Sequence, residues 1–353
     1  MYHSDQKVSD GRIARPERND RTLAVEKNAA RLFWIQRRRL MEESEFRYSP
    51  TGISRNDSSS MFERALGVFE LLLRATGLFS IGNQYARDIR VKHLDLFFDK
   101  LPDAFDGYRI LHLTDLHIDQ SPEIEDAIIR AVDGLSADIC VMTGDFRAAN
   151  DGPCEQIIAP MTKLMNSIDV ADGTYAVLGN HDDHKLGLML EHKLGIRLLA
   201  NEHVAIERND QRLRIAGADD VNRFYTADAS DVLADTHGDF GIALVHSPEM
   251  AHEAAKGGFS LYLCGHTHGG QVCLPGGKPL VTHLMRNREL ASGLWNVGSM
   301  TGYTSPGAGV SGPAVRFFSK GEVTLIRLRK RSLESKPKPD QTELSWLRKM
   351  EPC

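Results

Sequence analysis

From about residue 105 onward, the apolar positions fall into short unbroken runs separated by polar stretches. The runs are ILHLT (110–114), ICVMT (139–143), YAVL (175–178), IALV (242–245) and LYLC (261–264). Runs of four or five apolar residues bounded by turn residues predict strands buried on both faces. Between the first of them lie SPEIEDAIIRAVDGL, EQIIAPMTKLMNSI and HKLGLMLEHKL, whose apolar residues recur at helical spacing. Ser121 before Pro122 supplies a cap and a first-turn proline for the first of these helices. Strand-rich sequence follows, with HVAIER, LRIAGADD, FGIALVHS, LWNVGS, VRFFS and VTLIRL. Strand–helix alternation followed by a run of strands predicts an α/β core built from two packed sheets with helices outside.

The flanks have a different texture. Residues 1–60 mix twelve Lys/Arg with nine Asp/Glu and end in SPTGISRNDSSS, which reads as a charged, partly ordered N-terminal extension. The Arg37–Arg39 run reads as a solvated face. Residues 61–104 hold an amphipathic helix and a lead-in. On a helical wheel, Glu63, Glu70 and Arg74 of MFERALGVFELLLRATGLFS fall within about 40° of one another, and the remaining circumference is largely apolar. Such a helix either docks on its own domain or lies in a membrane surface or beside an acyl chain. Nearby Arg87, Arg90 and Lys92 would suit anionic head groups. Residues 331–353 read as a flexible charged tail.

Composition narrows the function. The formal net charge of −5 over 353 residues argues against a general nucleic-acid binder. Five cysteines without a CxxC pair argue against a disulfide framework and for a reducing compartment. The N-terminal stretch has no apolar core of a secretory signal, and no run of eighteen apolar residues occurs, so the expected location is the cytoplasm, with peripheral contact on the inner face of the membrane through residues 61–80.

Candidate chemistry sits where the apolar runs end. Asp115-Leu-His117 follows the first, Gly144-Asp145 the second, Gly179-Asn180-His181-Asp182 the third, His246 the fourth and Gly265-His266-Thr267-His268 the fifth. Each alone is a common turn or cap. Together, in one order and each directly after a strand, they put imidazole, carboxylate and amide donors where an α/β fold gathers its ligands. This donor set suits Mn²⁺, Fe or Zn²⁺, and the absence of thiolates argues against a structural zinc. The donors suffice for two metals if a carboxylate bridges, the arrangement that clamps both oxygens of a displacement at phosphorus.

These five motifs resemble the calcineurin-like metallophosphoesterases. ILHLTDLH, YAVLGNHDD and GHTHGGQVCLP look most like the bacterial phosphodiesterase branch, and the resemblance covers roughly 105–330. It implies a four-layer α/β/β/α sandwich of two mixed sheets, a catalytic domain over 105–330 and two divalent metal ions. Asp115, His117 and His268 would hold one ion, Asn180, His246 and His266 the other, with Asp145 bridging. It also implies hydrolysis of a phosphodiester or pyrophosphate by a metal-bridging hydroxide, His181 protonating the leaving oxygen and Asp182 orienting that imidazole. Some members of the branch act on lipid-linked substrates such as UDP-2,3-diacylglucosamine, so the expected partner is a phosphorylated small molecule or a lipid-linked phosphate. Phosphomonoesterase activity and a non-catalytic metal-binding scaffold are the alternatives.

The remaining polar residues are read individually. His112 reads as a core histidine. Arg147, Asp183 and His184 are candidate substrate contacts, competing with a surface ion pair for the first and helix capping for the other two. Asp219 and Asp220 are expected to shape a loop near the site, and GSMTGYTSPGAGVSGP to form a rim. The branch often has a basic residue in the SPGAGV region, where this chain has Pro306.

Overall fold

A computed structural model describes residues 20–55, 59–149 and 152–331. The terminal stretches, including the expected tail, lie outside the described residues. Twelve strands build two sheets of six. The first contains β1 (Ile89–Phe98), β2 (Arg109–Leu113), β3 (Ile139–Thr143), β4 (Thr174–Val177), β5 (Arg197–Leu198) and β12 (Gly321–Lys330). The second contains β6 (Glu202–Arg208), β7 (Gln211–Gly217), β8 (Phe240–Leu244), β9 (Leu261–Cys264), β10 (Gly293–Val297) and β11 (Met300–Thr304). Their orders are β1-β12-β2-β3-β4-β5 and β6-β7-β8-β9-β11-β10, and both sheets are mixed.

Eight α-helices accompany them: α1 (Asp20–Glu42), α2 (Ser59–Ala75), α3 (Leu78–Ala86), α4 (Pro122–Val132), α5 (Ile158–Asn166), α6 (His184–Leu194), α7 (Ala227–Val232) and α8 (Ala251–Lys256). Alternation along the central strands divides their side chains between layers. Ile110 of β2, Ile139 and Val141 of β3, Ile242 and Leu244 of β8, and Leu261 and Leu263 of β9 meet in the space between the sheets. Leu111, Leu113, Cys140 and Met142 point the other way, onto α4, α5 and α6. Ala243, Tyr262 and Cys264 pack against α7 and α8. The result is the expected α/β/β/α sandwich. His112 shares the inter-sheet side of β2; it is fully buried, reaches the Thr143 hydroxyl at 2.9 Å, and burial takes its pKa down to about 3. It is a core histidine.

Several elements depart from the sequence expectations. The sheet takes in β1, which runs parallel to β12 over ten residue pairs, so the core reaches back to residue 89 rather than 105. VRFFS is not a strand: Arg316 within it is fully buried and donates to the carbonyls of His268, Pro306, Gly307 and Gly309. The helix expected over 61–80 is two, because Gly77 adopts a left-handed backbone (φ 76°) and turns the chain by 108° between α2 and α3. Among the described residues no single helix is long and apolar enough to cross a membrane, although α2 and α3 together have that length and composition. The four described cysteines are buried and free.

The basic run in α1 is only partly a solvated face, with Arg39 exposed and Arg38 turned inward. Arg38 is buried, pairs with Asp219 and Glu42, and donates to the Asp182 carbonyl at 2.7 Å. Trp34, one turn earlier, donates its indole N–H to the other Asp219 oxygen at 2.7 Å. The hairpin at Phe46–Ser49 and Gly52–Arg55 is tied down as well: Tyr48 N–H donates to the Arg223 carbonyl, and Tyr225 N–H donates to the Tyr48 carbonyl. The N-terminal extension therefore closes one wall of the domain.

Candidate metal centre and the cavity beside it

The loops after β2, β3, β4, β8 and β9 converge at one edge of the sandwich. The Asp115 N–H donates to the Gly144 carbonyl and the His117 N–H to the Asp145 carbonyl, joining the first two loops. Gly144 has φ 89°, and a Cβ there would run into the Gly179 backbone; a Cβ at Gly265 would strike the Asp115 carboxylate. Those glycines permit the close approach of neighbouring loops. Asp115, His117, Asp145, His266 and His268 all sit at positive φ, between 37° and 73°, a conformation that costs non-glycine residues roughly 1–2 kcal/mol each.

Two buried trios result: Asp115, His117 and His268, and Asp145, His246 and His266. In the first, His117 Nε2 lies 3.2 Å from His268 Nε2, which is 3.5 Å from Asp115 Oδ1. In the second, His246 Nε2 lies 3.1 Å from His266 Nδ1 and 3.2 Å from both Asp145 Oδ2 and Asn180 Oδ1. The same Asp145 oxygen is 3.8 Å from His117 Nε2, so one carboxylate faces both trios.

Backbone carbonyls fix the imidazoles. His117 Nδ1–H donates to the Arg147 carbonyl and His246 Nδ1–H to that of Thr143, each at 2.7 Å, which turns Nε2 of both rings inward. Burial pushes His117 down to about 3 and holds His266 and His268 well below the usual histidine range. Burial also raises Asp115 to about 6, helped by the charge of Asp145. For Asp145, burial is outweighed by the imidazoles of His246 and His181, which hold its carboxyl well below the usual range. Burial works against His246 too, but Asp145 raises it to about 10. Buried imidazole nitrogens a little over 3 Å apart, beside two carboxylates, are a donor set suited to divalent cations, one of which would take the place of the proton that Asp145 holds on His246.

The other candidates separate from these ligands. His181 lines the adjoining cavity, with Nδ1–H donated to the Ala148 carbonyl at 2.7 Å and Nε2 4.0 Å from Asp145 Oδ2. Asp182 does not orient that ring. Its carboxylate accepts the backbone N–H groups of Gly179, Asp145 and Phe146 at 2.8–2.9 Å, locking two ligand loops together. Burial, then the Asp145 charge, raises it to about 6. Arg147 does not reach the cavity as a substrate contact; it is buried against the Ala149 and Gly152 carbonyls and Asp183 at 3.2 Å. Asp183 caps α6 by accepting from Leu186 N–H at 2.7 Å. His184 points away, its ring 2.6 Å from Glu42 of α1. Asp219 and Asp220 do shape a loop: Asp220 accepts from the Asn222 and Arg223 N–H groups. Of the stretch expected to form a rim, Ser311, Gly312 and Pro313 line the cavity, whereas SPGAGV lies beneath the ligands, with Gly309 N–H on the Asp115 carbonyl at 2.8 Å.

The cavity encloses about 600 Å³. Asp145, Asn180, His181, His266 and His268 form its floor, while Leu66 and Phe69 of α2, with Leu280 and Val281, supply apolar wall. Arg47 and Arg223 also line it. Neither arginine stood out in the sequence; the only available signal was Arg223 directly after the Asp219–Asp220 loop. Arg38 was signalled by its one-turn spacing from Trp34.

Residues 108–270 match the calcineurin-like phosphoesterase family. That stretch carries all five ligand loops. It is 29% identical over 240 residues to the metallophosphoesterase YkuE of Bacillus subtilis, covering 65% of this chain and 82% of that one. The phosphodiesterase YaeI of Escherichia coli is 26% identical over 253 residues, covering 67% and 87% respectively. The UDP-2,3-diacylglucosamine pyrophosphatase LpxG of Chlamydia muridarum is 26% identical over 300 residues, covering 65% and 86%. This calcineurin-like chain is accordingly a metal-dependent phosphoesterase.

Proposed function

We propose that the enzyme hydrolyses a phosphodiester or pyrophosphate bond of a lipid-linked substrate, in the manner that the name of LpxG describes for UDP-2,3-diacylglucosamine. The observation that carries this reading is the shared cavity: apolar side chains of α2 line the same space as the ligand trios. Asp115, His117 and His268 would hold one divalent ion and Asn180, His246 and His266 the other, with Asp145 serving both; Mn²⁺, Fe or Zn²⁺ fits these donors. Such ions supply positive charge to the phosphoryl oxygens and acidify a water nucleophile. His181, anchored through Nδ1 on the Ala148 carbonyl, would give the leaving oxygen its proton from Nε2. Asn180 and Asp145 keep their places because Asp182 fastens both loops.

The apolar surface extends outward from this cavity. Val68, Leu71, Leu72, Leu78 and Ile81 on α2 and α3 are between 43% and 67% exposed. We infer that this surface meets the membrane on its cytoplasmic side, letting an acyl chain pass between lipid and cavity. Of the nearby basic residues, Arg90 is paired with Glu322 and Lys92 lies over the Tyr303 ring, so their contribution to lipid head-group binding is small.

Turnover of bis-p-nitrophenyl phosphate against p-nitrophenyl phosphate, after reconstitution with Mn²⁺, Zn²⁺ or Mg²⁺, tests the reaction. A diester preference that disappears in Asp145→Ala supports it. Preference for the monoester, or turnover surviving in Asp145→Ala, overturns it.

A further inference from the structure

The wall formed by the N-terminal hairpin carries two cations that the metal centre does not use. Arg47 and Arg223 both line the cavity and both are half-buried. Backbone hydrogen bonds bring them together: Tyr48 pairs with the 223–225 strip as a parallel bridge, and Arg47 Nε–H donates to the Asn222 carbonyl. Below them, the Arg223 N–H is held by Asp220 at 2.7 Å. The Arg223 side chain lies over the Phe224 ring at 5.2 Å. Among the described residues, no carboxylate lies within ion-pairing distance of either guanidinium. Other partly buried arginines of this chain do have such partners: Arg31 has Glu191 and Glu202, and Arg208 has Asp138 and Asp172.

Two half-buried guanidiniums side by side, with no carboxylate in direct ion-pair contact, leave their forks open to an anion. Burial lowers the Arg223 pKa, and the nearby charges of Asp220 and Glu42 do not fully offset it against those of Arg38 and Arg47. Guanidinium forks match the paired oxygens of a phosphate. The hairpin that delivers Arg47 lies outside residues 108–270, whereas Arg223 lies within them.

We propose that Arg47 and Arg223 form an anion subsite for a second phosphate of the substrate, next to the phosphate held at the metal trios, and that the enzyme therefore selects pyrophosphate-linked diesters over diesters of a single phosphate. The proposal rests on the phosphoesterase reading of the same cavity and names its substrate class. The scissile group sits over Asp145, Asn180 and His181, and its neighbour reaches the hairpin wall. The apolar residues Leu66 and Phe69 are left to the remainder of the molecule.

The test is the kinetics of R223A, whose side chain makes no hydrogen bond within the described protein, and of R47A, both on the Mn²⁺-loaded enzyme. UDP-glucose serves as the pyrophosphate diester and bis-p-nitrophenyl phosphate as the single-phosphate diester. Each variant should lose kcat/KM at least about tenfold more on UDP-glucose than on bis-p-nitrophenyl phosphate, chiefly through KM, as expected for loss of one charge-assisted contact. Equal losses on both substrates would place the arginines at the scissile phosphate and overturn the subsite, as would no loss on either. Wild-type enzyme that turns over neither compound would count against the reaction, not the subsite, which binding then decides. Calorimetric binding of inorganic pyrophosphate to the metal-free chain should weaken about tenfold or more in the folded R47A/R223A double variant. Unchanged affinity would sink the proposal.

Discussion

At the level of single residues, catalysis and metal holding are assigned to different histidines by their backbone anchors. His117 and His246 turn Nε2 inward among the ligands, whereas His181 stands at the cavity and is only partly buried. His181→Asn should keep its metal content, measured by mass spectrometry, while kcat falls about 10²–10⁴-fold on a diester with an alkoxide leaving group. The deficit should shrink on bis-p-nitrophenyl phosphate, whose p-nitrophenolate departs without a proton. Equal deficits on both would remove His181 from the proton-donor role. The ligand positions were legible in the sequence because each directly follows an apolar strand, and strands of a sheet end on one edge. What was illegible were residues whose partners lie far off in the chain. His184 is paired with Glu42, 142 positions away, and the carboxylate of Asp182 is spent on backbone amides rather than on the ring beside it.

At the level of elements, α1 behaves as a clamp on the Asn180 loop. Its charged composition suggested a solvated helix, because a polar residue reads as exposed until its partner is known. Here the partners, Asp219 and the Asp182 carbonyl, come from loops of both sheets. The contact at the C-terminal end of α1 makes this clamp pH-dependent. Burial alone would raise the Glu42 pKa, but the hydrogen bond from His184 and the charge of Arg38 bring it below the ordinary 4.5. A carboxyl depressed in the folded state stabilises it above the unfolded pKa, and that contribution fades as pH falls through the folded value. Glu42→Gln should therefore lower stability by about 1–3 kcal/mol at neutral pH. In thermal melts the gap to wild type should close below about pH 4; a gap of constant size down to pH 3 would exclude this linkage. The α2–α3 bend was hidden for a different reason. A greasy stripe continues across Gly77, and periodicity alone does not reveal that one left-handed residue redirects it.

On the scale of the whole molecule, two packed sheets with helices outside followed from strand–helix alternation and the later run of strands, and the four-layer order from the family resemblance. The N-terminal wall did not, because nothing in a short hairpin states which loop it will pair with. That wall and the α2–α3 pair give the enzyme a cationic side and an apolar side around one cavity. Leu71 and Leu72 are 67% and 58% exposed, so replacing them perturbs little packing. L71E/L72E should bind phosphatidylglycerol vesicles about tenfold or more weakly than wild type in co-sedimentation, with bis-p-nitrophenyl phosphate turnover in solution retained. Undiminished vesicle binding would move the membrane contact elsewhere.

The left-handed backbone beneath five ligands has an evolutionary corollary. Asp115, His117, Asp145, His266 and His268 each hold a conformation that glycine adopts without strain, and the two carboxylates are crowded into a buried site. Reversion of such a position to glycine relieves strain and removes a desolvated group, while destroying the centre. A duplicated copy of this gene freed from selection on hydrolysis would thus drift downhill in fitness for catalysis and uphill in thermal robustness. Its descendants would be recognisable as sturdy, inactive paralogues with glycines where the ligands had been.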